Sequence, residues 1–325
     1  MPAAASAGLV VAGLLLAATP SPDVVLTITD PALAESSGLA VSQRDPEVLW
    51  THNDGGSAAQ VIALDAHGDS VATVTLAGVD PYDPEALAPG PDDTLYLGDL
   101  GDNSGERPDV SVFAFAEPHR LVDQTVDARW YRFTYPDGPH DAEALLVAPD
   151  GRIMVATKEL SGAGLYRAPR VLVTQDVGTN ALTRVATVPA LVTDGAYLPD
   201  GRFVLRTYTA VYVYARPGHQ LAWARLPAQP QGESVAADGD RLLVGSEGVH
   251  SQVLSVPVPA ASRSAPTGAS AGPTADPSGP ASRRGQRAED PEPSSNPALI
   301  AGVLAAVVVL LGAVAAHLRR RRPTH

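Results

Sequence analysis

The chain has 325 residues, a formal net charge of −13 and no cysteine, which excludes disulfides and thiolate metal sites. Residues 1–258 carry 15 Lys and Arg against 32 Asp and Glu, a net −17, so nearly all of the acidity lies before residue 259. A field of that sign excludes nucleic acid as a partner and suits neutral ligands, cationic ligands or divalent cations.

Leu9–Ala18 (LVVAGLLLAA) has the length of a signal-peptide core and is too short to span a bilayer comfortably. Small residues and Thr19-Pro20-Ser21-Pro22 follow, so residues 1–22 read as a signal peptide. No Lys or Arg precedes the apolar stretch, and an uncleaved anchor is the alternative. Both place the following domain outside the membrane.

From 24 to 258 one pattern recurs five times: an acidic residue, small residues, a short apolar strand, a turn rich in Asp, Gly or Pro, and a second strand. The acidic residues are Glu35, Glu85, Glu143, Asp194 and Glu233, at spacings of 50, 58, 51 and 39. Pro149-Asp150-Gly151 and Pro199-Asp200-Gly201 are hairpin turns by composition. A third and a fourth strand are expected after each pair, among them Val61–Leu64 with Ser70–Leu76 and Val110–Phe115 with Arg129–Tyr135. No long 3.6-residue periodicity interrupts them. The fold class is therefore all-β, a β-propeller of five or six four-stranded blades over 24–258, plus a C-terminal transmembrane helix. The early strand Val24–Thr29 is expected beside Val253–Val258, closing the ring.

Radial repetition would gather the five acidic residues, taken as one equivalent position, around one mouth of the central channel. Asp83 and Asp141 precede two of them, and the ends of the second strands add Asp54, Asp99, Asp102, Asn103, Lys158, Glu159, Arg206 and Glu247. Gathered carboxylates repel one another unless a cation or a basic side chain joins them, and Ca²⁺ takes six to eight such oxygens. Glu85, Asp99, Asp102, Asn103, Asp141 and Glu143 are the metal candidates, with Gly98–Gly105 as the most promising single loop. Glu35, Asp54, Lys158, Glu159, Asp194, Arg206, Glu233 and Glu247 are the ligand-binding candidates. The same carboxylates could instead accept backbone hydrogen bonds and hold the blades in register. His52 and His140 lack ligand spacing, and Trp50, Trp130 and Trp223 read as core. No motif assigns a catalytic residue.

Residues 259–297 turn to Pro, Ser, Ala, Gly and Thr and read as a disordered stalk. Ala298–Leu318 is uncharged over a length of about 31 Å at about 1.5 Å per residue, enough to cross a bilayer. Arg319–Arg322 begin a basic tail, 319–325, which belongs on the cytoplasmic side. The expected address is a single-pass cell-membrane protein with its N-terminus outside.

WTHNDGG at Trp50–Gly56, LYLGDLGDN at Leu95–Asn103, YPDGPHDAEALL at Tyr135–Leu146, VATKE at Val155–Glu159 and LRTYTAVYVY at Leu205–Tyr214 carry a resemblance. Through them the chain resembles exported actinobacterial β-propeller proteins related to the phytase-like (esterase-like activity of phytase) family. The resemblance implies a propeller whose motif-bearing loops meet at one face. For the phytases it implies clustered carboxylates holding Ca²⁺ and basic residues holding phosphate, for which only Lys158 and Arg206 are available here. Two functions are therefore expected: a module that binds an extracellular ligand or protein through its acidic mouth, or a Ca²⁺-dependent phosphoesterase or esterase.

Overall fold

A computed structural model describes residues 22–55 and 58–260. Apart from edge positions, the segments assigned to the signal, stalk, span and tail lie outside the described residues. No helix among the described residues is long and apolar enough to cross a membrane.

The described chain is strand and turn throughout, arranged as five antiparallel blades. A first strand, β1 (Asp23–Thr27), precedes blade 1, which comprises β2 (Ser36–Val41), β3 (Leu49–Asn53), β4 (Gln60–Leu64) and β5 (Ser70–Leu76). Blade 2 holds β6 (Pro84–Gly90), β7 (Thr94–Asp99), β8 (Val110–Ala116) and, after a short β9 (Gln124–Val126), β10 (Arg129–Thr134). Blade 3 holds β11 (Ala142–Val147), β12 (Ile153–Thr157), β13 (Gly164–Arg167) and, after β14 (Thr179–Ala181), β15 (Thr183–Thr187). Blade 4 runs β16 (Val192–Tyr197), β17 (Phe203–Thr207), β18 (Ala210–Arg216) and β19 (His219–Arg225). Blade 5 runs β20 (Gly232–Asp238), β21 (Arg241–Ser246) and β22 (Gln252–Pro257), and β1 completes it. The blade count is thus five, and Asp23 pairs with Ser255 in the expected closure.

Two short strands had no counterpart in the sequence reading. β9 leaves blade 2 to pair in parallel with β5, and β14 leaves blade 3 to pair in parallel with β10. Each covers the outer edge of the preceding blade, where unpaired N–H and C=O groups would otherwise face solvent.

Apolar side chains fill the spaces between blades. Trp50, Val61 and Val74 of blade 1 share a cluster with Leu87, Leu97 and Phe113 of blade 2, and Val112 and Phe133 of blade 2 share one with Leu145 and Val155 of blade 3. Burying one such side chain stabilises by about 1.5–3 kcal/mol, and without disulfides this packing holds the ring together. Trp50 is core, as expected. Trp223 is not: it is 55% exposed on β19, where alternation turns it outward.

The inner strands share one irregularity. Each slips register near its start, between Ser36 and Gly38, Pro84 and Ala86, Ala142 and Ala144, Val192 and Asp194, and Gly232 and Val235. An extra residue in a strand bends it and re-aims a side chain. Here all five bulges lie where the inner strands begin, at one mouth of the channel.

Candidate functional site

The bulges set the true equivalence of the five repeats. The bulged positions include Ser37, Glu85, Glu143, Thr193 and Glu233, so three blades contribute a Glu there. Glu35 does not share that position, since it precedes the bulge by two residues as Asp83 and Asp141 do. Asp194 follows it by one. The single offset in blade 4 gives Asp194 a different task. Its Oδ1 accepts the Gly195 N–H at 2.7 Å and its Oδ2 accepts the Val235 N–H of blade 5 at 2.6 Å.

Asp54, just beyond β3, meets blade 2 at the mouth. Asp54, Asp83 and Glu85 each offer a carboxylate oxygen within 4.8 Å of the other two. Glu85 is 4% exposed, and Ser37 Oγ donates to its Oε2 at 3.3 Å. Asp54 Oδ1 is buried without a hydrogen-bond partner. Burial first, then the neighbouring Asp83 and Glu35, push the Asp54 carboxyl up to about 7. Burial, then Glu143 and Asp54, hold Glu85 well above the usual carboxylate range. Three acid oxygens this close and this poorly solvated match the all-oxygen donor set of a hard divalent cation.

The Asp83 corner is tightly built. Its N–H donates to Asp99 Oδ1 at 2.7 Å, and its carbonyl accepts the Gly101 N–H at 3.0 Å. A Cβ on Gly101 would sit 2.5 Å from Asp83 Oδ2, so only glycine lets the loop cross here.

Across the mouth, Lys158 of blade 3 pairs with Glu143 Oε1, and its ammonium lies 5.1 Å from the ring centroid of Tyr208 in blade 4. Burial alone would lower the Lys158 pKa, but Glu143 and Glu233 outweigh it and hold the amine protonated, well above its ordinary value. Glu143 Oε2 and Glu233 Oε2 are buried and unpartnered. Gln231 Nε2 donates to Glu233 Oε1 at 3.2 Å and to Glu247 Oε2 at 2.5 Å. Burial, then Glu233 and Asp54, push Glu247 up to about 8.

Other candidates are occupied elsewhere. Asp99 takes a fork from Arg107, at 3.1 Å on each oxygen. Asp102 accepts the Glu106 and Arg107 N–H groups, and its own N–H donates to Asp141 Oδ1 at 2.8 Å. Asn103 reaches Asp83 Oδ2 at 3.5 Å. The Gly98–Gly105 loop therefore buttresses the trio through Asp99 and Gly101, while the Asp99 and Asp102 carboxylates are committed to the Asp83 N–H, to Arg107 and to the Glu106 N–H. Glu159 Oε1 is 2.5 Å from His140 Nδ1, to one side. Arg206 is fully buried: it donates to the Ser234 carbonyl, to the Gly245 carbonyl at 2.7 Å and to Gln229 Oε1 at 2.7 Å, tying blade 4 to blade 5.

Tyr208 and Gln231 had escaped the sequence reading. The register makes Asp54, Lys158, Tyr208 and Glu247 equivalent, each one residue past the partner of an inner-strand start: Asn53, Thr157, Thr207 and Ser246. Extending that rule to blade 4 would have found Tyr208.

No family model matches the chain, and no curated protein matches it. Among solved structures, a gluconolactonase from Xanthomonas campestris has a TM-score of 0.45 at 17% identity, over 70% of this chain and 73% of its own. An aldose sugar dehydrogenase from Streptomyces coelicolor, in a PQQ-bound form, has a TM-score of 0.40 at 13% identity, over 73% and 98%. A chain of a nidogen/laminin complex has a TM-score of 0.41 at 14% identity, over 66% and 73%. Likeness at this level reaches no further than architecture.

Proposed function

We propose that this propeller is a ligand-binding module of the cell envelope, exported and tethered to the membrane through 298–318, which holds a divalent cation, Ca²⁺, at its mouth. The observation that carries the reading is the convergence of Asp54, Asp83 and Glu85 within 4.8 Å, with a buried oxygen of Asp54 left unpartnered. These three would hold the cation, which would offset their repulsion and offer open coordination positions to an oxygen-bearing ligand. Lys158 serves the other half of the mouth as a built-in cation for Glu143 and Glu233.

The resemblance to phytase-like propellers favours the same metal. Hydrolysis of phosphate esters is the weaker reading, because the residues that would hold phosphate are spent. Arg206 donates to carbonyls inside the ring, and Lys158 is paired with Glu143.

Calorimetric titration of the full chain with Ca²⁺ tests this. One site is expected, lost in Glu85→Gln and in Asp54→Asn. No binding to the wild type would overturn the reading. Turnover of phosphate or carboxylate esters that needs Ca²⁺ and vanishes in Glu85→Gln would replace the binding module with the hydrolase.

A further inference from the structure

A second concavity lies on the flank of blade 2, outside the mouth. It is an open, shallow concavity of about 540 Å³ between the segment entering β6, the loop joining β7 to β8, and the outer strand β10. We propose that this pocket binds a neutral saccharide.

Its walls combine aromatic faces with rigid polar edges. Tyr82 is 52% exposed, and the Arg107 guanidinium lies 4.8 Å from its ring centroid. Trp130 is half-buried, set against Phe113 at 5.4 Å, and donates Nε1–H to Ser111 Oγ at 2.9 Å, which fixes its ring plane. Arg107 is locked by its fork to Asp99 and by the Gly101 carbonyl at 2.7 Å. Arg132 is locked by its fork to Asp109, with Nε to Oδ1 at 2.9 Å.

The charge balance selects the ligand class. The lining holds four carboxylates, Asp80, Asp99, Glu106 and Asp109, against the two guanidinium groups. That net negative wall turns away phosphate, sulfate and uronate groups. A cationic ligand would meet Arg107 and Arg132 and would leave their remaining N–H groups without acceptors. Sugar hydroxyls both donate and accept, which is what paired guanidinium and carboxylate edges require, and the C–H faces of a pyranose suit Tyr82 and Trp130. The volume falls within the range of small-molecule sites. Planar groups already held in place also lose little freedom on binding.

The test uses the full chain in a sugar-free detergent, with EDTA present so that the result does not pass through the cation site. The probes are methyl glycosides of glucose, galactose, mannose and N-acetylglucosamine and their disaccharides, followed by saturation-transfer NMR and tryptophan fluorescence. At least one neutral sugar is expected to bind, and Tyr82→Ala and Gln175→Ala are expected to weaken it roughly tenfold or more. Both positions are exposed, so both variants should fold, and Ca²⁺ titration should be unchanged in Gln175→Ala. The proposal is overturned if no neutral sugar binds, if binding is the same in both variants, or if glucose 6-phosphate or tetralysine binds where neutral sugars do not.

Discussion

The Asp194 carboxylate accepts the backbone N–H of Val235 at 2.6 Å, so a blade 4 side chain completes the hydrogen bonding of the blade 5 bulge. Thr193 Oγ1 reinforces the seam by donating to the Glu233 carbonyl at 2.8 Å. Asparagine at 194 can accept with only one of its two terminal atoms, and the other would present an NH₂ to a backbone N–H. Asp194→Asn should therefore cost about 1–3 kcal/mol in chemical unfolding, the penalty of one unsatisfied buried donor. It should leave Ca²⁺ binding intact. Loss of binding with stability unchanged would place Asp194 in the site instead.

Arg206 makes a sharper case on the same seam. Burial lowers its pKa to about 10, with Glu233 and Asp194 opposing, yet it remains charged at neutral pH. Lysine offers no planar fork to replace its bonds to Ser234, Gly245 and Gln229. Arg206→Lys should lose about 3 kcal/mol or more, as expected for breaking a buried charged network. A variant that folds normally and loses only anion binding would contradict this assignment.

The trio predicts opposite effects with and without metal. Glu85 is kept buried among Glu143, Asp54 and Asp83, all of its own sign. At alkaline pH, where these groups ionise, Glu85→Gln removes that repulsion and should raise the melting temperature of the metal-free chain. Added Ca²⁺ should raise the wild-type melting temperature by mass action and leave the variant unmoved. Thermal melts at that pH in EDTA and in Ca²⁺ decide both points, and a variant less stable than wild type in EDTA would count against a site strained by its own charge.

The mouth also sets a pH dependence. The Glu247 pKa is raised from the usual 4.5 to about 8, and that of Asp54 from 3.8 to about 7, each by burial first. Between those values the folded chain holds more protons than the unfolded one, so stability falls as pH rises. The metal-free chain should be most stable near pH 4–5 and lose stability progressively up to about pH 8. Glu247→Gln should flatten the upper part of that slope. A melting temperature that rises from pH 5 to pH 8 in EDTA would show these groups to be ionised and solvated.

The ring was legible in the sequence because its cause is local. Pro149-Asp150-Gly151 and Pro199-Asp200-Gly201 make turns wherever they occur, with Gly151 at φ +78° and Gly201 at φ +84°. Five such hairpins at blade spacing leave few architectures. The equivalence of Glu35 and Asp194 with the three bulged Glu was misread because composition does not mark where the bulge falls, and Glu35 lies two residues before it and Asp194 one after. The bonds that commit Asp99 and Arg206 were hidden for another reason. Their partners, Arg107 and the Ser234 and Gly245 carbonyls, are chosen by tertiary packing across loops and blades. β9 and β14, at three residues each, are too short to show a period.

The closing strand limits where the proposed signal peptide can be cut. Val24 pairs with Leu254 and Thr27 with Gln252, the Ile28 N–H donates to Ser251 O at 2.9 Å, and the Thr29 N–H donates to Gly68 O at 2.9 Å. Leu26 and Ile28 are 5% and 1% exposed, in a cluster that also holds Leu39, Leu243 and Val253. Blade 5 has no other fourth strand among the described residues, so its outer edge and this cluster depend on residues 23–29. A signal peptidase that cut inside this strand would leave an open ring. If the chain is exported and cut as proposed, its mature form should begin at or before Asp23, read directly by N-terminal mass spectrometry. A chain beginning at Asp30 should melt well below one beginning at Pro22 and show earlier amide exchange along β22. If the mature chain begins beyond Ile28 and melts as the longer one does, β1 is not the closure that holds the ring.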